Sequence, residues 1–382
     1  AVMRLYSLGY LDTVYLGMRP WTRISLERML EQTHARIGDA DAGEQPLTEE
    51  ARKIYNAIAY ALRDTLNGDC LVHTNEPRFE SAYATIRAIS GTPLRDSFHF
   101  GATVVNDFGR PYTGGLNDYS GASGYATWQR YTLYLRGEFQ GAPSAIGYSS
   151  SLAQTLTGID FTTYLNPATG LPYNQATIPE GPIAATRTGR LIEGYVAAHV
   201  MHTEVSFGKQ DDWLGPGMGG AMAYSNNADN IDSFRLNRVE PLFIPFLSRF
   251  TGPFRYEFLV GSLKGHVYPN SPWVHLEKVS FKPTENLEFG FERTVIWGGK
   301  GHESITLHTF LRSFFSTANV TAAVKNSAQD PGARFGAFDF SYRLPLLRNW
   351  LTLYADSEAH DDVSPISAPR RAAYRPGLYL SH

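Results

Sequence analysis

The densest concentration of groups able to hold a ligand lies between Ser206 and Arg238. Its first half, Ser206-Phe207-Gly208-Lys209-Gln210-Asp211-Asp212-Trp213-Leu214-Gly215-Pro216-Gly217-Met218-Gly219-Gly220, is the strongest turn signal in the chain, because glycine and proline interrupt regular structure. By itself it reads as a structural loop. It lacks the Gly-Lys-Ser/Thr ending of a phosphate cradle, and no helix of dinucleotide-binding pattern follows. Its second half is richer in donors: Ser225, Asn226, Asn227, Asp229 and Asn230, then Arg235, Asn237 and Arg238. Amides and guanidinium groups this close to the indole of Trp213 suit sugar hydroxyls and acidic sugars.

Other chemistry is weaker. His302-Glu303, His308 and His266 do not have the spacing His-Glu-x-x-His, so no metal site is expected. Glu204, Asp211, Glu288 and Glu292 could supply the carboxylate pair of a glycoside hydrolase. Pairing with arginine along a charged inner wall explains them more simply. Cys70 is the only cysteine, which rules out an intrachain disulfide and a thiolate metal cage. A formal charge of −3 leaves no basic footprint for nucleic acid, and no cofactor is expected.

The elements that would position these groups change character along the chain. Ala51, Ile54, Tyr55, Ile58, Leu62 and Leu66 recur at helical spacing between Thr48 and Asn67, where Thr48 can cap the start and Glu49 and Glu50 suit the first turn. Trp21 to Ile37 predicts a second helix, joined to the first by a polar linker from Gly38 to Pro46. Beyond Arg95 the period becomes two. Phe98, Phe100, Ala102 and Val104 alternate with His99, Gly101, Thr103 and Val105; Tyr131, Leu133, Leu135 and Phe139 alternate with Arg130, Thr132, Arg136 and Glu138. Phe254, Tyr256, Phe258 and Val260 sit against Arg255 and Glu257, Leu287, Phe289 and Phe291 against Glu288 and Glu292, and Phe338, Phe340, Tyr342 and Leu344 against Asp339, Ser341 and Arg343. Lys282-Pro283-Thr284-Glu285-Asn286 reads as a hairpin turn. Leu307 to Phe315 fits a short helix or a strand.

No apolar run approaches the roughly 18 residues that a membrane-crossing helix requires. One aromatic face and one charged face, repeated strand after strand, suit a sheet closed into a tube with lipid outside and water inside. Periodicity leaves open a soluble β-sandwich, a propeller or a lipocalin-like barrel, whose charged faces would point outward. Ala1-Val2-Met3-Arg4 carries no leader, so an export signal is expected to be cut away or left out, and Gly377-Leu378-Tyr379-Leu380 reads as a strand with more to follow.

Phe207, Trp213-Leu214-Gly215-Pro216-Gly217, Ser225-Asn226-Asn227-Ala228, Phe234-Arg235-Leu236-Asn237 and Pro241 together resemble the core signature of the Wzi-like capsule-assembly family. Phe289-Gly290-Phe291-Glu292-Arg293 followed by Trp297-Gly298-Gly299-Lys300-Gly301-His302-Glu303 is similar to its second signature, and Leu8-Gly9-Tyr10-Leu11 with Arg19-Pro20-Trp21-Thr22 resembles the opening of its helical plug. The likeness is strong from Tyr195 to Ser316 and looser elsewhere. It implies a mainly β fold: a transmembrane antiparallel β-barrel, incomplete at its C-terminal end, with an N-terminal α-helical plug. Residues 1–92 would form the plug and residues 93–382 the barrel. The implied role is non-catalytic: a lectin of the bacterial outer membrane that tethers capsular polysaccharide, touching outer-membrane lipid and acting as a monomer. In the expected site Trp213 offers a flat face to a sugar ring, Asn226, Asn227 and Asn237 supply amides, and Arg235, Arg238 and Lys300 neutralise uronate or phosphate. A porin and a carbohydrate-active enzyme are the alternatives.

Overall fold

The computed structural model describes residues 1–39, 45–66, 77–90, 107–111, 113–159, 180–266, 269–316, 329–361 and 368–381, with single positions between them at 170, 321, 323, 324 and 327. Twelve strands form one antiparallel sheet in which each strand pairs with its neighbours in sequence. They are β1 (Pro77–Ile89), β2 (Gly115–Trp128), β3 (Tyr131–Ala142), β4 (Thr186–Val200), β5 (Thr203–Lys209), β6 (Asp232–Arg238), β7 (Phe254–Ser262), β8 (Trp273–Thr284), β9 (Leu287–Trp297), β10 (Ala333–Arg343), β11 (Leu351–His360) and β12 (Ala373–Leu380). The helices among the described residues are α1 (Val2–Ser7), α2 (Arg23–Asp39), α3 (Gln45–Leu66), α4 (Ser150–Ile159), α5 (Ser248–Thr251), α6 (Leu307–Phe315) and α7 (Ala368–Arg371). None of these helices is long and apolar enough to cross a membrane.

The alternating segments at Arg130, Phe254, Leu287 and Phe338 are β3, β7, β9 and β10, and Lys282–Asn286 closes the β8–β9 hairpin, paired down to Thr284 and Leu287. The expected strand from Phe98 to Val105, Cys70 and most of the linker before Pro46 lie outside the described residues. Leu307 to Phe315 resolves as a helix because Thr306 and Thr309 build a reciprocal capping box at its start. The sheet begins earlier than the expected boundary at residue 93, since β1 pairs with β2 along its length from Pro77. Alanines at 82, 84 and 88 fill its outer positions, and alanine gives little amphipathic contrast while favouring helix, so the strand is faint in sequence.

The sheet is inverted relative to a soluble one. On β3, Leu133, Leu135 and Phe139 stand exposed while Glu138 and Gln140 on the opposite face are buried. On β7, β9 and β10 the residues turned inward include Arg255, Glu257, Glu288, Glu292, Asp339 and Arg343, all buried, and Phe291 on the opposite face is 45% exposed. The soluble sandwich, propeller and lipocalin-like alternatives require the reverse, with aromatic side chains packed in the centre.

The wall curls around the N-terminal segment. Residues 12 to 25 reach Glu80 on β1 through Arg23, the carbonyl of Val239 after β6 through Ser25, the carbonyl of Pro253 before β7 through Tyr15, Glu288 on β9 through the Leu16 and Gly17 amides, and Arg343 on β10 through Asp12. A flat sheet could not bring these strands to one short stretch of chain. Leu5, Leu8, Leu11, Val14, Leu16, Met29 and Ala51 form the apolar core of this plug, with Tyr379 of β12 packed against it.

The plug occupies the end with the short connections. Two-residue turns join β2 to β3, β4 to β5 and β8 to β9, with Met201 and His202 in the left-handed conformation a tight hairpin requires. The long connections, between β1 and β2, β3 and β4, β5 and β6, and β9 and β10, leave the sheet at the opposite end.

Candidate functional site

The β5–β6 loop starts from the long-loop end and descends into the lumen, where it meets the plug. The Arg19 amide donates to the Trp213 carbonyl at 3.0 Å and the Trp213 amide to the Arg19 carbonyl at 2.9 Å, a two-residue sheet contact between segments almost two hundred residues apart. The Arg19 guanidinium donates to the carbonyls of Gly215 and Gly217, each at 2.8 Å, and lies 4.9 Å from the centre of the Trp213 ring. The indole N–H of Trp213 donates to Gly217 O at 3.1 Å. Gly217 must be glycine, since a Cβ there would lie 2.8 Å from Gly220 O and 2.5 Å from the Arg375 guanidinium.

Beneath that contact, the plug is locked by charge. The Asp12 carboxylate is bound by Arg36 of α2, by Arg343 of β10 and, at 2.9 Å, by Arg348. Burial pushes its pKa up, but the Arg343 hydrogen bond and the charges of Arg343, Arg36 and Arg348 outweigh that and hold it below the usual carboxylate range. Lys282 donates to the carbonyls of Asp12 and Val14. Glu288 accepts from the amides of Leu16 at 2.7 Å and Gly17 at 2.9 Å. Glu292 faces Lys278 at 3.7 Å, and Lys278 also holds Asp339 at 2.5 Å. The inward carboxylates Glu288 and Glu292 are therefore engaged by the plug and by Lys278, instead of converging on an open cleft.

The residues expected to bind sugar fall in three places. Trp213 and Arg235 lie in the lumen; Arg235 is 2% exposed and donates to Glu257 at 2.5 Å, with Asp212 at 3.5 Å. Asn237 and Arg238 lie toward the short-turn end, where Asn237 accepts from Arg255 at 2.9 Å and Arg238 donates to the carbonyls of Glu240 at 2.7 Å and Met201 at 2.9 Å. Asn226, Asn227 and Lys300 are at the long-loop end, Asn227 and Lys300 exposed, with Lys300 bridged through its backbone to Asn270.

Asn226 leads to residues that sequence reading passed over. Its carbonyl accepts from the Phe108 amide at 2.6 Å, and Arg190 donates to the carbonyls of Phe108 and Gly109 at 3.0 Å each while pairing with Asp229 at 3.0 Å. Phe108 holds a left-handed φ of 61°, and a Cβ added at the following Gly109 would lie only 3.1 Å from the Asp229 amide nitrogen. Next to it Arg110 forms a bidentate pair with Glu138 at 2.8 and 2.6 Å, Tyr83 donates to the same carboxylate at 2.5 Å, and the Arg110 guanidinium stacks 4.0 Å from the centre of the Tyr119 ring. A cleft lined by Arg87, Arg110, Asn117, Tyr119 and Gln140 opens beside this network. Phe108-Gly109-Arg110, an aromatic and an arginine either side of a turn glycine, is the one sequence signal for it.

At the opposite end His199, His202 and Glu240 bring ligand atoms within 4.8 Å of one another, the only such group among the described residues. Arg28 of α2 already pairs with Glu240 at 2.7 Å, so the carboxylate serves the plug.

Residues 84–382 match the family model of the capsule assembly protein Wzi. Over 170 residues the chain is 23% identical to a Klebsiella pneumoniae protein described as an uncharacterized 55.8 kDa protein in the cps region, covering 44% of this chain and 32% of that one. A solved structure described as Wzi, an outer membrane protein involved in group 1 capsule assembly in Escherichia coli and a carbohydrate-binding β-barrel, aligns with a TM-score of 0.61 at 17% identity, over 100% of this chain and 66% of the other. The chain thus spans only part of each relative's length, and the structural likeness is one of fold.

Proposed function

The chain belongs to the Wzi capsule-assembly family, and from that premise we propose that it is a non-catalytic outer-membrane β-barrel that binds and tethers surface polysaccharide. The observation that carries the reading is the inverted wall: exposed aliphatic and aromatic side chains outside, paired charges inside, and a lumen occupied by its own plug and loop. Such a wall needs acyl chains around it. Aromatic side chains exposed near the short turns, Trp128, Tyr131 and Trp350 among them, fit the interfacial girdle of such barrels. With short turns on the periplasmic side, as in bacterial barrels generally, the helical N-terminal region closes the periplasmic end and the long loops face outward.

At that outer mouth the sugar contacts are assigned to Asn226, Asn227 and Lys300 of the expected set, while Arg110, Asn117 and Gln140, bonded to Glu138, Thr113 and Arg190, hold the rim beneath them. Amide and ammonium groups recognise hydroxyls and acidic groups on a sugar. Trp213, Arg235, Asn237 and Arg238 support the loop and the rim, their polar atoms already committed to protein partners. The protein works as a monomer, with polysaccharide and lipid as its partners.

The test is the binding of purified capsular polysaccharide to detergent-solubilised protein, repeated with Asn227→Ala and Lys300→Ala combined. Wild type binds, and the double variant binds several-fold more weakly while keeping the heat-modifiable gel mobility of a folded barrel. Wild-type protein that is folded and binds no polysaccharide would end this reading.

A further inference from the structure

One patch breaks the rule that charges face the lumen. On the outward side of β8 and β9, among the positions that present Val279 and Phe291 to the surroundings, stand His275, Glu277 and Arg293. His275 is fully buried there; its Nδ1 lies 2.6 Å from Glu277 Oε1, and Arg293 donates to Glu277 Oε2 at 2.9 Å. Left against acyl chains these groups would have no partner beyond one another.

The cover is α6. From the β9–β10 loop it folds back over the outside of the wall, placing the Ser313 hydroxyl on His275 Nε2 and the Phe314 carbonyl on the Arg293 guanidinium. Phe310 and Phe314 pack edge-on against Phe258 of β7, and Phe310 also meets Trp297 of β9. The inner side of the helix is thus spent on the patch. Its outer side carries Leu307, Leu311 and Phe315 at successive turns, 72%, 42% and 75% exposed, and beside them His308 and Arg312, both exposed. An apolar stripe alongside a polar one, in which Arg312 pairs with Glu303, is the pattern of a helix that lies at the boundary between lipid chains and headgroups.

We propose that α6 is a lipid-seated wall helix, with Leu307, Leu311 and Phe315 among outer-leaflet acyl chains and His308 and Arg312 at headgroup level. The occupant is lipid because the stripe continues the exposed band that Trp273, Val279 and Phe291 form on the same strands. The helix shields the polar patch from the bilayer and moors the loop that carries Lys300 to the membrane surface. This inference rests on the outer-membrane reading above.

The experiment keeps the two apart. On a Cys70→Ser background, nitroxide labels are placed singly at Leu311→Cys and Phe315→Cys on the helix, at Phe291→Cys on the wall and at Asn227→Cys on the mouth, with the full chain in phospholipid vesicles. Collision of each label with oxygen, which favours lipid, is compared with collision with a water-soluble nickel chelate. The helix and wall labels collide more with oxygen, and the mouth label more with nickel. A wall label in lipid with both helix labels in water overturns the proposal and leaves the barrel standing. Wall and helix labels all in water end the membrane reading and the proposal with it, and dipolar broadening between helix labels would put a second copy where lipid is placed here.

Discussion

At the short-turn end, Asp12 sits among Arg36, Arg343 and Arg348, with its own side chain and that of Arg343 buried to within 2%. At the long-loop end, Asp229 holds Arg190 and Lys209 at 3.0 and 3.1 Å while remaining almost half exposed, and Asn227 and Lys300 stand in the open. The same residue types do different work in the two places. Deep in the plug a charge network costs desolvation and is held only by complete pairing, so it acts as a lock. At the mouth, charges keep most of their hydration and can exchange a protein partner for a ligand at small cost. One end is built to stay shut and the other to be contacted.

The comparison breaks most sharply at Asp12. Asp12→Ala leaves the buried guanidinium of Arg343 without its carboxylate, and removing one partner of a buried pair costs about 3–5 kcal/mol. Arg343 keeps its bonds to the Tyr6 carbonyl and Asn286, so the barrel folds but the plug loosens. The expected outcome is a large drop in the temperature at which the heat-modifiable form is lost, and planar-bilayer conductance where wild type shows little. A variant as stable and as closed as wild type would mean that the two ends do not differ in kind.

Arg19→Ala tests the contact between plug and loop, with a smaller effect. Two charge-assisted hydrogen bonds to Gly215 and Gly217 and the stack on Trp213 are lost, while the backbone bridge between Arg19 and Trp213 remains. A loss of about 2 kcal/mol is expected, within the range for hydrogen bonds to a charged group. Calorimetric or gel-shift melting reads it. Polysaccharide binding should hold, because none of the mouth residues touches Arg19; a parallel loss of binding would show that lumen and mouth act as one site.

The barrel was legible in the sequence because period two survives burial on one side only. Arg255 and Glu257 between Phe254, Tyr256 and Phe258, or Glu288 and Glu292 between Leu287, Phe289 and Phe291, state the two faces outright, and resemblance supplied the orientation. What failed to show was set by distance along the chain. Trp213 reads as an exposed platform until Arg19, from the far end of the sequence, takes up its backbone. Arg110 and Arg190 read as scattered charges until Phe108 and Gly109 turn the chain between them. His275, Glu277 and Arg293 look like lumen residues to any rule that sends charge inward, and only α6 explains why they need not be. The strand β1 hides in alanine, whose preference is for helix.

The smallest effect is the pH response, and it has opposite signs in two carboxylates outside the strands. Asp12 has a depressed folded pKa, so the stability it confers is present above the ordinary carboxylate pKa, about 3.9, and disappears as pH falls through the folded value. Asp211, at the head of the descending loop, is pushed up to about 7 by burial and by the nearby charge of Glu193. It binds a proton more tightly in the folded protein than in the unfolded chain, so stability falls as pH rises from about 4 to about 7 and levels off above. After allowance for its partial exposure the change is on the order of 1 kcal/mol. Melting temperatures between pH 5 and pH 8 should decline less steeply for Asp211→Asn than for wild type, and Asp12→Asn should lessen the loss of stability below pH 4. Equal slopes for wild type and Asp211→Asn would place Asp211 in water and detach the loop's first turn from the lumen wall.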